Sequence, residues 1–234
     1  VQKYVFFFGG GKAEGRGDQK DSLGGKGAGL AEMTNIGLPV PGGFTITTEA
    51  CAAYYRLGKK FPPGLAEQVD ANLARLEKVT GKKLGDAHDP LLVSVRSGAA
   101  RSMPGMLETV LNLGLTDVSV EGLAARTGNP RFAYDAYRRF IQMYSTVVIG
   151  LPKDELERML HDLKHRLGIA NDPDIPADAL KGLCEQFKAF FEIKTGHAFP
   201  QDPKQQLWGA IGAVFSSWMA EKAETYRRVE KITG

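Results

Sequence analysis

Leu92-Val93-Ser94-Val95-Arg96-Ser97-Gly98-Ala99-Ala100-Arg101-Ser102-Met103-Pro104-Gly105-Met106 is the stretch on which the reading of this chain turns. Val93 and Val95 alternate with Ser94 and Arg96, the period of a strand with one buried face. Arg96 stands at the strand's end. Ser97, Gly98, Ala99 and Ala100 then strip away bulk, so that backbone N–H groups can approach an anion closely. A guanidinium at that point offers a planar fork of donors matched to phosphate oxygens. Read alone, a strand-end arginine fits a surface or salt-bridged role as well.

A second glycine-rich element lies upstream. Gly9-Gly10-Gly11-Lys12-Ala13-Glu14-Gly15-Arg16-Gly17 leads to Leu23-Gly24-Gly25-Lys26-Gly27-Ala28-Gly29-Leu30-Ala31-Glu32-Met33. Leu30, Met33 and Ile36 fall at helical spacing, and Gly37 followed by Pro39 stops the helix. Gly25, Lys26 and Gly27 are therefore expected to open a helix. Unpaired N–H groups and the helix dipole favour an anion there, and Lys26 adds a point charge. The same glycines also fit a flexible turn with a solvated lysine. A Walker loop is excluded because Gly27, not Ser or Thr, follows Lys26, and no window has the spacing of the dinucleotide-binding fingerprint.

Composition narrows the classes. The 234 residues are 43% hydrophobic with a net charge of +3, and the mean hydropathy is −0.22. No apolar run is long enough to span a membrane, and Tyr4–Phe8 is too short for a signal-peptide core. Charges are interspersed and no basic stripe carries interleaved aromatics, which argues against nucleic-acid binding. Cys51 and Cys184 lie far apart without metal-ligand spacing. They read as free thiols of a reducing compartment, so a cytoplasmic chain is expected.

The pattern predicts an α+β chain in two textures. Up to Gly114, glycine-rich loops mix with short strands and helices. Phe44–Thr47 alternates as a strand, Thr48 is positioned to cap a helix through Tyr55, and Leu65, Val69, Leu73, Leu76 and Val79 form a stripe ended by Gly81. From Thr116 onward helices dominate. Phe132, Ala136, Phe140, Tyr144 and Val147 share a face. So do Leu156, Met159, Leu160, Leu163 and Leu167, and likewise Leu180, Leu183, Phe187, Phe190 and Phe191, which predicts a small bundle. A last helix is expected from Pro203 to about Val229, with Leu207, Ile211, Phe215 and Trp218 on its apolar side. His161 and His165 lie one turn apart, but no third ligand is evident, so no metal site is assigned. His197 reads as a turn residue. Glu108 fits either an approach to the site or a partner for Arg96 or Arg101.

Taken in order, Tyr4–Gly15, Gly24–Met33, Gly42–Thr48, Val93–Leu115, Thr195–Pro200 and Trp208–Ile211 resemble the N-terminal region of the pyruvate phosphate dikinase family. Related phosphoenolpyruvate synthases share the Gly-Gly-Lys-Gly and Arg-Ser-Gly elements. The opening Phe-Phe-Gly-Gly-Gly and the Met103-Pro104-Gly105-Met106 continuation look more like the dikinases. The resemblance implies a first ATP-grasp subdomain, a mixed sheet with helices, over 1–114 with 197–234, and an inserted helical bundle over 115–196. It implies ATP as ligand with Mg²⁺ in the parent enzyme, and transfer through a histidine on a swivelling domain. Pyruvate and phosphate would be converted to phosphoenolpyruvate and pyrophosphate as ATP becomes AMP.

The nucleotide-binding set so implied is Gly25, Lys26, Gly27, Arg96, Ser97, Gly98, Arg101 and Met103, with Arg96 also the candidate catalytic residue. One departure is local: many relatives place the second arginine directly after Ser-Gly-Ala, whereas Ala100 here precedes Arg101, which re-aims that side chain. The length, and Val1 in place of Met, lead to the expectation of an N-terminal fragment with half a nucleotide site, inactive and monomeric alone. Its expected partners are a second ATP-grasp lobe and the phosphohistidine domain of a homodimeric parent. The alternatives are a phosphoenolpyruvate synthase-like ATP-binding domain and a non-catalytic regulatory or docking module.

Overall fold

The apolar run Val5–Gly9 forms β1, the middle strand of a three-stranded antiparallel sheet in the computed structural model, which describes residues 2–232. The chain forms two compact units. The first comprises 1–81, 97–107 and 215–234, and the second 82–96 and 108–214.

In the first unit, β1 pairs with β2 (Lys12–Ala13) through Phe8 and Gly9, and with β3 (Gly43–Ile46) from Val5↔Ile46 to Phe8↔Gly43. Val5, Phe7 and Phe8 are buried. Gln68 of α3 (Leu65–Thr80) fixes the start of β1: its Oε1 accepts from Tyr4 N–H at 2.7 Å and Val5 N–H at 3.2 Å. Leu65, Val69, Leu73 and Leu76 of α3 are buried as the stripe predicts, and Gly81 ends the helix in the left-handed region. Val79, one step beyond the covered face, is 46% exposed. Thr47, not Thr48, caps α2 (Thr48–Arg56), accepting from Ala50 N–H; the Thr48 hydroxyl instead donates to Asp21 O at 2.6 Å. Phe215 closes the unit's aromatic edge, its ring centroid 5.4 Å from that of Tyr54, while Tyr55 Oη donates to Phe215 O at 2.8 Å.

The helix carrying Lys26, α1 (Lys20–Asn35), corrects the sequence reading. Met33 and Ile36 are 38% and 64% exposed, and the buried residues are Leu23, Gly24, Gly27, Ala28, Ala31 and Thr34. Small side chains let this helix approach the sheet closely, so its apolar spacing does not mark the packed face.

In the second unit the strands form two pairs: β4 (Lys83–Leu84) parallel to β5 (Pro90–Leu91), and β6 (Val93–Arg96) antiparallel to β7 (Thr109–Leu113). The expected mixed sheet is thus replaced by three small sheets. Strands of two to five residues, divided by Gly and Pro connections, are too short to build a wide one. No strand follows Leu113 among the described residues.

The helices of this unit are α4 (Asp117–Thr127), α5 (Pro130–Met143, continued by a π-helical turn over Tyr144–Val148), α6 (Lys153–Leu167), α7 (Ala177–Thr195) and most of α8 (Pro203–Ser217). Thr116 and Ser119 form a reciprocal capping box for α4. Phe199 lies edge-on to Tyr137, Phe140, Tyr144 and Phe191, with centroids 5.3–6.5 Å away. Leu180, Leu183, Phe187, Phe190 and Phe191 are all buried. On the other stripes, Phe132 and Leu167 are 47% and 41% exposed because they sit at helix ends beyond the packed turns. The expected single C-terminal helix is two. A tight turn over Trp218–Ala220 separates α8 from α9 (Glu221–Val229), with successive i→i+3 bonds to Phe215, Ser216 and Ser217 carbonyls. No helix of the described residues is long and apolar enough to cross a membrane.

Candidate functional site

Gly24 divides α1. Its φ of 70° and ψ of 163° are non-helical, so the helix proper restarts at Gly25 and places Gly25, Lys26 and Gly27 in a first turn. That conformation is open to glycine and strained for any L side chain. The first-turn N–H groups of a helix lack acceptors four residues back and point along the axis toward an incoming anion.

The Ser97–Leu107 segment belongs to the same unit and packs on this restart. Gly25 N–H donates to Ala99 O at 2.9 Å. A Cβ built on Gly24 would lie 1.5 Å from Gly98 O, so the two backbones touch where neither has a side chain. On its other side the turn meets β3: a Cβ on Gly27 would stand 2.6 Å from Thr45 Cγ2. Ser97 and Met103 are buried, and Met106 N–H donates to Met103 O at 3.1 Å, closing the loop. Gly25 and Gly98 are half-buried, and Lys26 and Arg101 are exposed.

Seven of the eight candidate residues (Gly25, Lys26, Gly27, Ser97, Gly98, Arg101 and Met103) therefore lie in the first unit. Arg96 is the last residue of β6 in the second unit, paired with Thr109 and joined by one peptide bond to Ser97. Lys26, Arg96 and Arg101 have no ion-pair partner among the described residues, whereas Arg75, Arg138, Lys164, Lys181 and Lys188 are all engaged by carboxylates. Exposed cations held on anchored backbone, without carboxylates to neutralise them, are suited to a polyanionic ligand.

Other candidates separate from this cluster. His161 and His165 lie on the exposed side of α6, and His161 Nδ1 is 3.6 Å from Asp162 Oδ1. No group of three or more His, Cys, Asp or Glu side chains among the described residues is placed to hold a metal. His197 is exposed in a turn tied to Thr195: its N–H donates to Thr195 Oγ1 and its carbonyl accepts from the same hydroxyl. Glu108 is half-buried in the second unit. An open depression lined by Met106 and by Glu221, Lys222, Thr225, Tyr226 and Val229 of α9 includes neither Lys26 nor Arg101. The sequence reading missed Thr45, which sets how closely the Lys26 turn approaches β3. The signal was Gly27 itself, a glycine inside a helix.

Comparison with known proteins places the chain among the dikinases. Over 235 residues the chain is 53% identical to pyruvate, phosphate dikinase of Clostridium symbiosum, covering 100% of this chain and 26% of that protein. It is 54% identical over 232 residues to pyruvate, phosphate dikinase of Rhizobium meliloti (strain 1021), covering 99% and 26%. It is 53% identical over 234 residues to the chloroplastic pyruvate, phosphate dikinase 1 of Arabidopsis thaliana, covering 100% and 24%. The chain thus spans about a quarter of the length of these curated relatives. The family model described as "Pyruvate phosphate dikinase, AMP/ATP-binding domain" matches residues 20–60 and 57–234. On a match of that extent, the chain belongs to the pyruvate phosphate dikinase AMP/ATP-binding domain family.

Proposed function

We propose that this chain binds the phosphates of ATP through the first turn after Gly24 and the loop after Arg96, as part of a pyruvate phosphate dikinase. The observation that carries this reading is the junction of two glycine-bearing backbones, each presenting an exposed cation without an ion-pair partner among the described residues. Lys26 supplies a point charge beside the first-turn N–H groups, and the Ser97–Gly98 backbone brings further donors within reach of the same ligand. Arg96 stabilises the charge that develops on the transferring phosphates, a role for which its planar fork suits better than an ammonium. Arg101 and Met103 complete the binding set.

In this reading the first ATP-grasp subdomain comprises 1–114 with 197–234, and 115–196 is a helical bundle inserted in it. Transfer runs from ATP to a histidine of a swivelling domain and on to phosphate and pyruvate, giving AMP, pyrophosphate and phosphoenolpyruvate. A second ATP-grasp lobe encloses the nucleotide, the parent is a cytoplasmic homodimer, and the 234 residues alone are a monomer that binds nucleotide weakly and does not turn over. The donor set described here fits phosphate. It does not fit Mg²⁺, which takes oxygen ligands and usually one or two carboxylates beside the phosphates.

The test uses a full-length dikinase carrying this chain. Arg96→Ala should lower single-turnover pyrophosphoryl transfer by about tenfold or more, the scale of losing one transition-state donor. Arg96→Lys should also be impaired. Transfer at the unsubstituted rate in the Ala variant removes Arg96 from the mechanism.

A further inference from the structure

Gly24 does more than permit a bend. Its φ and ψ break α1 two residues before Lys26, and its Cα lies against the Gly98 peptide, where a Cβ would meet Gly98 O at 1.5 Å, Gly98 C at 2.3 Å and Gly98 Cα at 3.0 Å. All three obstacles are backbone, so no rotamer change relieves them. The next residue's N–H donates to Ala99 O at 2.9 Å. This seam joins, within one unit, the turn bearing Lys26 to the loop bearing Arg101, three residues after Gly98. Both side chains are exposed and neither has an ion-pair partner among the described residues, so no carboxylate there holds their charges away from a ligand.

We infer that Gly24 is a positioning residue for polyphosphate. By admitting the Gly98 peptide against its Cα, it locks the Lys26 turn and the Arg101 loop into one preorganised cradle. A ligand then does not have to order two independent segments, which is where binding energy is otherwise lost. A cradle with two cations should discriminate by phosphate number, because a triphosphate brings more charge and more acceptors to it than a monophosphate does. This inference rests on the phosphate-binding reading above.

The experiment compares ATP and AMP affinities of the 234-residue chain as unsubstituted protein, Gly24→Ala and Gly29→Ala. Gly29 lies in the same helix, and a Cβ there meets nothing within 4 Å. Gly29→Ala should bind both nucleotides as the unsubstituted chain does. Gly24→Ala should weaken ATP by about tenfold or more while changing AMP by less than about threefold, as expected when a charge-assisted contact is misplaced. With Gly24→Ala shown to be folded by far-UV circular dichroism, equal weakening of both nucleotides, or of neither, overturns the positioning role.

Amide exchange of the unsubstituted chain gives a second readout that does not depend on the variant folding. Gly25 N–H should exchange as slowly as amides in the middle of α1, although it lies in a first turn. Rapid exchange at Gly25 refutes the seam. Failure of the unsubstituted chain to prefer ATP over AMP refutes the phosphate reading instead, and the Gly25 exchange rate then judges the seam by itself.

Discussion

Gly27→Ala tests how the Lys26 turn is seated. An alanine methyl at position 27 would lie 2.6 Å from Thr45 Cγ2, 2.9 Å from Thr45 Oγ1 and 3.3 Å from Thr45 Cβ. In an open helix, Gly→Ala stabilises by about 1 kcal/mol. Here the collision with a β-branched side chain, stiff at χ1, brings an overpacking cost of about 1–3 kcal/mol. The net expectation is a destabilisation of about 1 kcal/mol, the difference of those two effects. Thr45→Ala removes both of the closer atoms and leaves only the 3.3 Å neighbour, which yields with a shift of a few tenths of an ångström. In that background Gly27→Ala should become neutral or stabilising, giving a coupling of about 2 kcal/mol in the double-mutant cycle. Urea unfolding of the four proteins, followed by far-UV circular dichroism, supplies the numbers. Additivity within about 0.5 kcal/mol, the value for independent sites, would show that the turn does not press on β3.

Gln206, fully buried, accepts from Gly114 N–H and donates to Leu115 O at 3.0 Å and Pro200 O at 2.8 Å. Gln206→Leu strands three backbone groups and should cost about 2–4 kcal/mol in urea unfolding; a loss below about 1 kcal/mol would mean that water replaces the side chain. Asp172 is held below the usual carboxylate range first by its hydrogen bond from Lys164, with the charges of Arg138 and Arg139 adding to it against the opposing effect of burial. Its folded-state pKa is depressed, so its contribution is present above the ordinary aspartate value and is lost as pH falls through the folded one. The stability gap between the unsubstituted chain and Asp172→Asn should therefore close as pH drops below about 4, and a gap independent of pH would contradict the pairing. Burial pushes the Cys51 thiol up to about 11 and the Cys184 thiol up to about 12. Iodoacetamide at pH 7.5 should label both slowly in the folded chain and quickly in urea, as mass spectrometry would read; fast labelling of folded Cys184 would contradict its burial.

Periodicity made much of the second unit legible, because helices that pack on one another bury large side chains at helical spacing. Leu180, Leu183, Phe187, Phe190 and Phe191 all lie where their spacing puts them. The same logic misled at α1, whose packed face is made of Gly27, Ala28 and Ala31, since close approach to a sheet selects small residues over apolar ones. The break at Trp218–Ala220 carried no Gly or Pro to announce it, and was hidden inside an unbroken helical pattern. At the candidate site, the glycines and the arginine loop were visible as composition. The contact of Gly24 with Gly98 was not, because it joins backbone to backbone and leaves no side-chain signature. The Phe199 cluster was similarly invisible: its partners come from α5 and α7, and only the folded chain brings them together.

Tripolyphosphate titrated into the isotope-labelled 234-residue chain, with backbone amide resonances followed one by one, tests the phosphate cradle most directly. The amides of Gly25, Lys26, Gly27, Ser97, Gly98 and Ala99 should shift together with a single Kd. Lys26→Ala should weaken that Kd by about tenfold, and added salt should weaken it further, since charge-assisted contacts to exposed cations are screened. Shifts confined to one of the two segments, or a Kd unchanged by Lys26→Ala, would contradict a phosphate site built from the Lys26 turn and the loop after Arg96.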